Sequence, residues 1–202
     1  MSIYGTCQEC LNIVMNRLVS QIEEYSRAYE KEKGERLYEH LRCRVKSEES
    51  MRDKLRRRGL EPTPINALRT VKDAIGLRIV CLFIDDVYEN AARIRRLPGV
   101  RVVQEKDYIQ NAKPNGYRSY HMILEVETEE PDVEGYTPGH YFVEIQLRTI
   151  AMDTWAALEH ELKYKKNIRN AELITQELHR CANDLASCDV SMQTLKRIIR
   201  DM

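Results

Sequence analysis

Two carboxylates hold the most chemical interest in this chain. Asp73 stands in Asp73-Ala74-Ile75-Gly76-Leu77-Arg78, at the entry to an apolar stretch. Glu144 stands inside another, Phe142-Val143-Glu144-Ile145-Gln146-Leu147-Arg148-Thr149. Glu144, Gln146 and Arg148 are two apart, so on a strand they share one face. Burying a carboxylate, an amide and a guanidinium is costly unless they are paired or face a ligand. A solvated edge strand is the plain alternative. Two carboxylates from adjacent strands would suit Mg²⁺, which prefers oxygen ligands and keeps phosphate and water as the others.

Two basic segments could serve anionic ligands. In Lys113-Pro114-Asn115-Gly116-Tyr117-Arg118-Ser119-Tyr120-His121, Pro-Asn-Gly reads as a turn that sets Tyr117 at the mouth of a strand. A ring there could stack on a base, with Lys113 and His121 toward phosphate. A plain hairpin turn with a packed tyrosine fits the same residues. In Arg44-Val45-Lys46-Ser47-Glu48-Glu49-Ser50, followed by Lys54, the last two lie one helical turn apart on one face. Lys46 stands at the helix entry, where backbone amides with Lys and Ser side chains make a phosphate cradle. There is no Walker A sequence, G-x-G-x-x-G after a strand, kinase signature or nucleophile elbow.

The elements that must position these residues follow from periodicity. Leu11, Val14, Leu18, Ile22, Tyr25 and Tyr29 predict an amphipathic helix fading at Gly34. A second helix is predicted from Ser47 to Gly59, then an extended segment imposed by Pro62 and Pro64. Strands are predicted at Ile75–Phe83, Val100–Ile109, Tyr117–Thr128 and His140–Arg148, with a helix at Asp85–Leu97. The last two strands flank the loop Glu129–Gly139 and should pair antiparallel. A helix follows from Ile150 to Lys166. Ile174, Leu178, Cys181, Leu185, Cys188, Met192, Leu195 and Ile199 then alternate at spacings of four and three, a heptad seam that predicts helix–helix packing on the chain's own N-terminal helix or another subunit. The expected layout is an N-terminal helix at 1–36, a central α/β (α+β) domain with a mixed sheet at 37–166, and a C-terminal helix at 167–202.

The 202 residues are 43% hydrophobic and 32% charged with a formal net charge of zero, so no whole-molecule field points to nucleic acid or membrane. Charge is uneven, however: Leu41–Leu60 holds eight basic residues against three acidic ones. No apolar run approaches a membrane helix and no signal peptide is evident, which makes the expected location cytoplasmic. The six cysteines read as reduced thiols. Cys7 and Cys10 form one C-x-x-C without the further ligands of a zinc site.

Taken together, the motifs resemble the synthetase domain of the RelA/SpoT family. The matching residues are Arg44-x-Lys46-x-x-x-Ser50, Asp73-x-x-Gly76-x-Arg78, Lys106-Asp107-Tyr108, Lys113-Pro-Asn-Gly-Tyr117-x-Ser119-x-His121, Val143-Glu-Ile-Gln-Leu-Arg-Thr149, and Met152-Asp-x-Trp155-x-x-x-Glu159-His160 with Tyr164-Lys165. They fall in the family's order over about residues 40–166. The resemblance implies a nucleotidyltransferase-like sheet and a (p)ppGpp synthetase of the stringent response, moving pyrophosphate from ATP to the 3′-hydroxyl of GTP or GDP and releasing AMP. It implies that Arg44 and Arg78 sandwich adenine and that Lys46, Ser50 and Lys54 hold the ATP phosphates. Asp73 would bind Mg²⁺, with Glu144 as second ligand or as base. Tyr117 would stack on guanine, with Lys106, Lys113, Asn115, His121, Gln146 and Arg148 around the acceptor. Single-domain members form homotetramers through terminal helices, which the heptad seam suits. Leu41-Arg42-Cys43 departs from the Thr-Gly pair associated with members activated by their own product. A non-catalytic module sensing guanine nucleotides or single-stranded RNA, or another nucleotidyltransferase, are the competing readings; Arg56-Arg57-Arg58 makes such an RNA a candidate regulator as well.

Overall fold

A computed structural model of the chain describes residues 2–164 and 170–200. A short 3-10 turn, Gly5–Cys7, leads into α1 (Gln8–Lys33), whose Leu11, Val14, Leu18 and Ile22 are buried as the periodicity predicts. Then come β1 (His40–Val45), α2 (Glu48–Arg57), β2 (Ile75–Cys81), α3 (Ile84–Ile94), β3 (Val100–Asp107), β4 (Tyr120–Thr128), β5 (Gly139–Thr149), α4 (Ile150–Tyr164) and α5 (Ala171–Arg200). The strands form one sheet in the order β1-β2-β5-β4-β3. Among the described residues, only the neighbouring pair β2–β5 runs parallel, and β4–β5 is the antiparallel pair expected from their connecting loop.

Alternation divides the sheet into two faces. Leu77, Ile145 and Met122 are cross-strand neighbours and buried, as are Ile75, Ile79, Val143, Leu147 and Leu124 around them. With α1, α3 and the Met51–Leu55 face of α2 they make a single core. Burying each such side chain contributes roughly 1.5–3 kcal/mol. The opposite face carries the polar residues of the same strands. The register lines up Arg42, Arg78, Gln146, His121 and Lys106 in one row across all five strands. Beside it runs the row Arg44, Gly76 and Glu144.

Four elements differ from the sequence expectation. β1 had not been expected as a strand: its leucine, cysteine and valine alternate with His40, Arg42 and Arg44, but the excess of charge hides the period. The segment after Pro62 is not extended throughout. Thr63 Oγ1 accepts from Asn66 N–H at 3.2 Å and Pro64 sits in the first turn, where its missing N–H costs nothing; a π-helical turn, Asn66–Thr70, follows. β4 starts at Tyr120, so Tyr117 lies in the turn leading to it.

The fourth difference concerns α5, which packs on α4 and α3. Its buried stripe is Ala182, Asp189, Gln193 and Lys196, offset from the heptad seam, of which Cys188, Leu195 and Ile199 are exposed. Lys165 and the end of the helix expected to reach Lys166 lie outside the described residues. Among the described residues, no helix is long and apolar enough to cross a membrane.

Candidate active site

The polar sheet face holds an open cleft of about 240 Å³. Arg42, Arg44 and Lys46 line it from the β1 side, and Arg78, Glu144 and Gln146 from β2 and β5. Gly76 forms its floor between Arg44 and Glu144; a Cβ there would meet nothing within 4 Å. The bare backbone leaves room for a ligand between a guanidinium and a carboxylate.

One half of the site centres on Asp73. Lys46 follows β1, Lys54 lies on α2, and both ammonium groups donate to Asp73 Oδ2. Asp73 Oδ1, although buried, has no hydrogen-bond partner among the described residues. Burial alone would raise the Asp73 carboxyl, but the two lysines outweigh it and hold it below the ordinary range. Burial lowers the Lys46 ammonium despite Asp73, with Lys54 adding to the effect. Ser50 is exposed and occupied in capping: its N–H donates to Ser47 Oγ at 3.3 Å and its hydroxyl accepts from Ser47 Oγ at 2.9 Å. The cap sets the α2 N-terminus, whose first turn carries Glu48 and Glu49, beside Lys46, with Arg44 exposed at its edge.

The other half is a closed ring of side chains. Gln146 Nε2 donates to Glu144 Oε2 at 3.0 Å, and Arg148 Nη2 donates to Gln146 Oε1 and to the Tyr117 hydroxyl, each at 2.8 Å. The Tyr117 hydroxyl lies 2.7 Å from His121 Nε2, and His121 Nδ1 lies 3.7 Å from Glu144 Oε1. Arginine can only donate, so the Tyr117 oxygen accepts from it and has its own hydrogen free for Nε2. In the tautomer with its hydrogen on Nδ1, the imidazole turns that donor toward Glu144. Burial would raise Glu144, but His121 overcomes it and Gln146 assists, so the carboxyl is held below its ordinary range although Asp73 opposes. The two carboxylates line the same cleft.

Aromatic residues wall this half. Tyr117 makes edge contacts with Tyr108, His121 and Trp155 at centroid distances of 6.1, 5.7 and 6.2 Å. Lys113 Nζ lies 4.7 Å from the Tyr117 ring centre and Arg148 5.3 Å, so a base stacking on Tyr117 takes the place of one cation. Gly116 needs its positive φ of 90°, and a Cβ there would strike Ala182 of α5 at 2.5 Å. Asn115 braces the turn: its amide donates to Glu159 at 2.6 Å and its oxygen accepts from Tyr117 N–H at 3.2 Å. Lys106 is exposed opposite His121.

Three contributors were absent from the sequence-derived site. Asp153 Oδ1 accepts from Arg148 Nη1 at 2.9 Å and faces Arg78 Nη1 at 3.2 Å, tying the two halves together. Tyr108 lies against Tyr117 and His121, with Lys113 Nζ 4.6 Å from its ring centre. Arg42 would have followed from reading Arg42 and Arg44 as one strand face. Asp153 and Tyr108 carried only motif membership, without a periodic signal.

Surplus cations around a carboxylate pair, beside a cluster of aromatic rings, suit the movement of phosphate groups between nucleotides; fold and site together define a nucleotide-dependent transferase. Residues 43–169 match the region found in RelA / SpoT proteins. The chain is 38% identical over 183 residues to GTP pyrophosphokinase YwaC of Bacillus subtilis, covering 91% of this chain and 85% of that one. Its fold matches small alarmone synthetase 1 of Bacillus subtilis bound to its product pppGpp, with a TM-score of 0.81, 31% identity and 94% coverage of each chain. The same Bacillus subtilis protein bound to AMPCPP matches with a TM-score of 0.74, 28% identity and 95% coverage of each. This chain belongs to the RelA/SpoT family.

Proposed function

We propose that this chain, a GTP pyrophosphokinase like its relatives, joins the β-phosphorus of ATP to the 3′-hydroxyl oxygen of GTP or GDP. The bond from the β-phosphorus to the α,β-bridging oxygen breaks, and AMP leaves with that oxygen. Glu144 takes the hydroxyl proton. The observation that carries this reading is the place of Glu144 in the sheet: it neighbours Asp73 and its lysines on one side and closes the Tyr117–His121–Arg148 ring on the other.

Arg44 and Arg78 flank the adenine, and Lys46, Lys54 and the α2 N-terminus capped by Ser47 and Ser50 receive the donor phosphates. Tyr117 takes the guanine, with Lys106, Lys113, His121, Gln146 and Arg148 around the acceptor and Asn115 holding the turn. Asp73 and Glu144 would hold Mg²⁺; the unpartnered Asp73 Oδ1 fits an oxygen-seeking cation. When bound, the ion neutralises phosphate charge. The chain's own residues orient the two nucleotides, offset charge and accept the proton.

Assembly, location and regulation follow the same family pattern in this proposal. Val190, Leu195, Ile198 and Ile199 are exposed apolar residues near the end of α5, which supports a homo-oligomer, specifically a homotetramer. Free cysteines accord with a cytoplasmic location. Exposed Arg56, Arg57 and Arg58 support single-stranded RNA as a regulator. The test of the reaction is incubation with γ-labelled ATP, Mg²⁺ and GTP, GDP or GMP. Label in a guanosine product with equimolar AMP is expected; released pyrophosphate without guanosine labelling would overturn the proposal.

A further inference from the structure

The family match begins at residue 43, yet the backbone of the donor half rests on the first residues of the chain. Ile3 and Tyr4 are each only 1% exposed, wedged against the start of α2. Ile3 N–H donates to Glu48 Oε2 at 3.2 Å, in the first turn of that helix. Gly5 lies against Pro64, where a Cβ would come within 3.3 Å of the proline ring. The Tyr4 hydroxyl donates to the Lys46 carbonyl at 2.7 Å.

That last bond falls at a sensitive place. Only Lys46 and Ser47 separate β1 from α2, so the Lys46 peptide sets both the aim of its own ammonium and the start of the capped helix. Its N–H is already fixed, donating to the Ala74 carbonyl at 2.8 Å, next to Asp73. Tyr4 fixes the remaining carbonyl. Lys46 is thereby clamped from both sides while its side chain reaches Asp73. Burial, and then the negative charges of Asp73 and Glu48, push the Tyr4 hydroxyl well above its ordinary range.

We propose that Tyr4 is a positioning residue for the donor nucleotide, acting through the Lys46 carbonyl to aim Lys46 at the ATP phosphates. The inference rests on the reading that Lys46 binds those phosphates. Small displacements in such a site cost much of its function, because the groups must already be in place when the ligand arrives.

Tyr4→Phe keeps the buried ring and removes only the donor. Calorimetry with a methylene-bridged ATP analogue and, separately, with GDP reads the effect without turnover. The analogue should bind about three- to tenfold more weakly, the size of one lost hydrogen bond. GDP affinity should stay within about twofold, and the melting temperature should fall by no more than a few degrees. Unchanged analogue affinity would overturn the proposal. So would equal weakening of both nucleotides, the mark of a purely structural tyrosine. Wild-type protein that binds the analogue yet releases no AMP would sink the reaction proposed above and leave this comparison of affinities standing.

Discussion

The two halves of the cleft are built on opposite plans. In the acceptor half every member of the ring from Glu144 through Gln146, Arg148, Tyr117 and His121 has a protein partner. In the donor half two lysines crowd one oxygen of Asp73 while the other oxygen is buried and unpartnered. The ring is preorganised: its dipoles are fixed before any ligand enters, so little reorganisation accompanies binding. The donor half is a charge store, with two cations facing one carboxylate and Arg42, Arg44 and Arg78 nearby. A polyphosphate of several negative charges suits the second plan; a base and a hydroxyl that must be oriented suit the first.

The largest effect that would break this contrast is expected at Asp73. Asp73→Asn leaves two part-buried ammonium groups without their counter-charge and removes the oxygen offered to a cation. AMP release should fall about a thousandfold or more. A loss below tenfold would mean that the donor half does not depend on its central carboxylate. Tyr117→Phe should be milder. It retains a ring for stacking but cuts the links to Arg148 and His121, so kcat/KM for GDP should fall about three- to tenfold while affinity for an ATP analogue holds. Equal loss toward both substrates would erase the distinction between the halves.

The smallest effect concerns pH. Asp73 and Glu144 are both held below their ordinary values of 3.8 and 4.5. A depressed carboxylate contributes stability that is fully present above its unfolded pKa and is lost as pH falls through the lower folded value. The gap in melting temperature between wild type and Asp73→Asn should therefore be constant from pH 7 to about pH 5 and close below the ordinary value. A gap that widened in acid would reverse the sign of this electrostatic account.

The two halves also differed in how far the sequence revealed them. β2, β4 and β5 announce themselves through apolar runs, and the spacing of Glu144, Gln146 and Arg148 alone places them on one face. The donor side was harder. β1 is a charged edge strand with weak alternation, and Tyr4, 42 residues from Lys46, contributes through a contact that no local pattern records. The tail makes the same point. Its heptad spacing correctly marks a long helix, but the stripe that faces the body includes Asp189, Gln193 and Lys196. Their partners Thr149, Asp85 and Asp86 lie 40 to 110 residues away, and polar burial of that kind is invisible to hydrophobic periodicity.

Glu144 is where the fixed ring meets the charge store, and its substitution is the most direct trial of the account. In Glu144→Gln the side chain keeps its size and a hydrogen-bonding oxygen but cannot take a proton. Single-turnover AMP release with GDP and ATP, followed across pH, should be slower by about a hundredfold to ten-thousandfold. The acid limb of the wild-type profile should vanish, with both nucleotides still bound. A variant that turns over near the wild-type rate would contradict the assignment of Glu144 as the base.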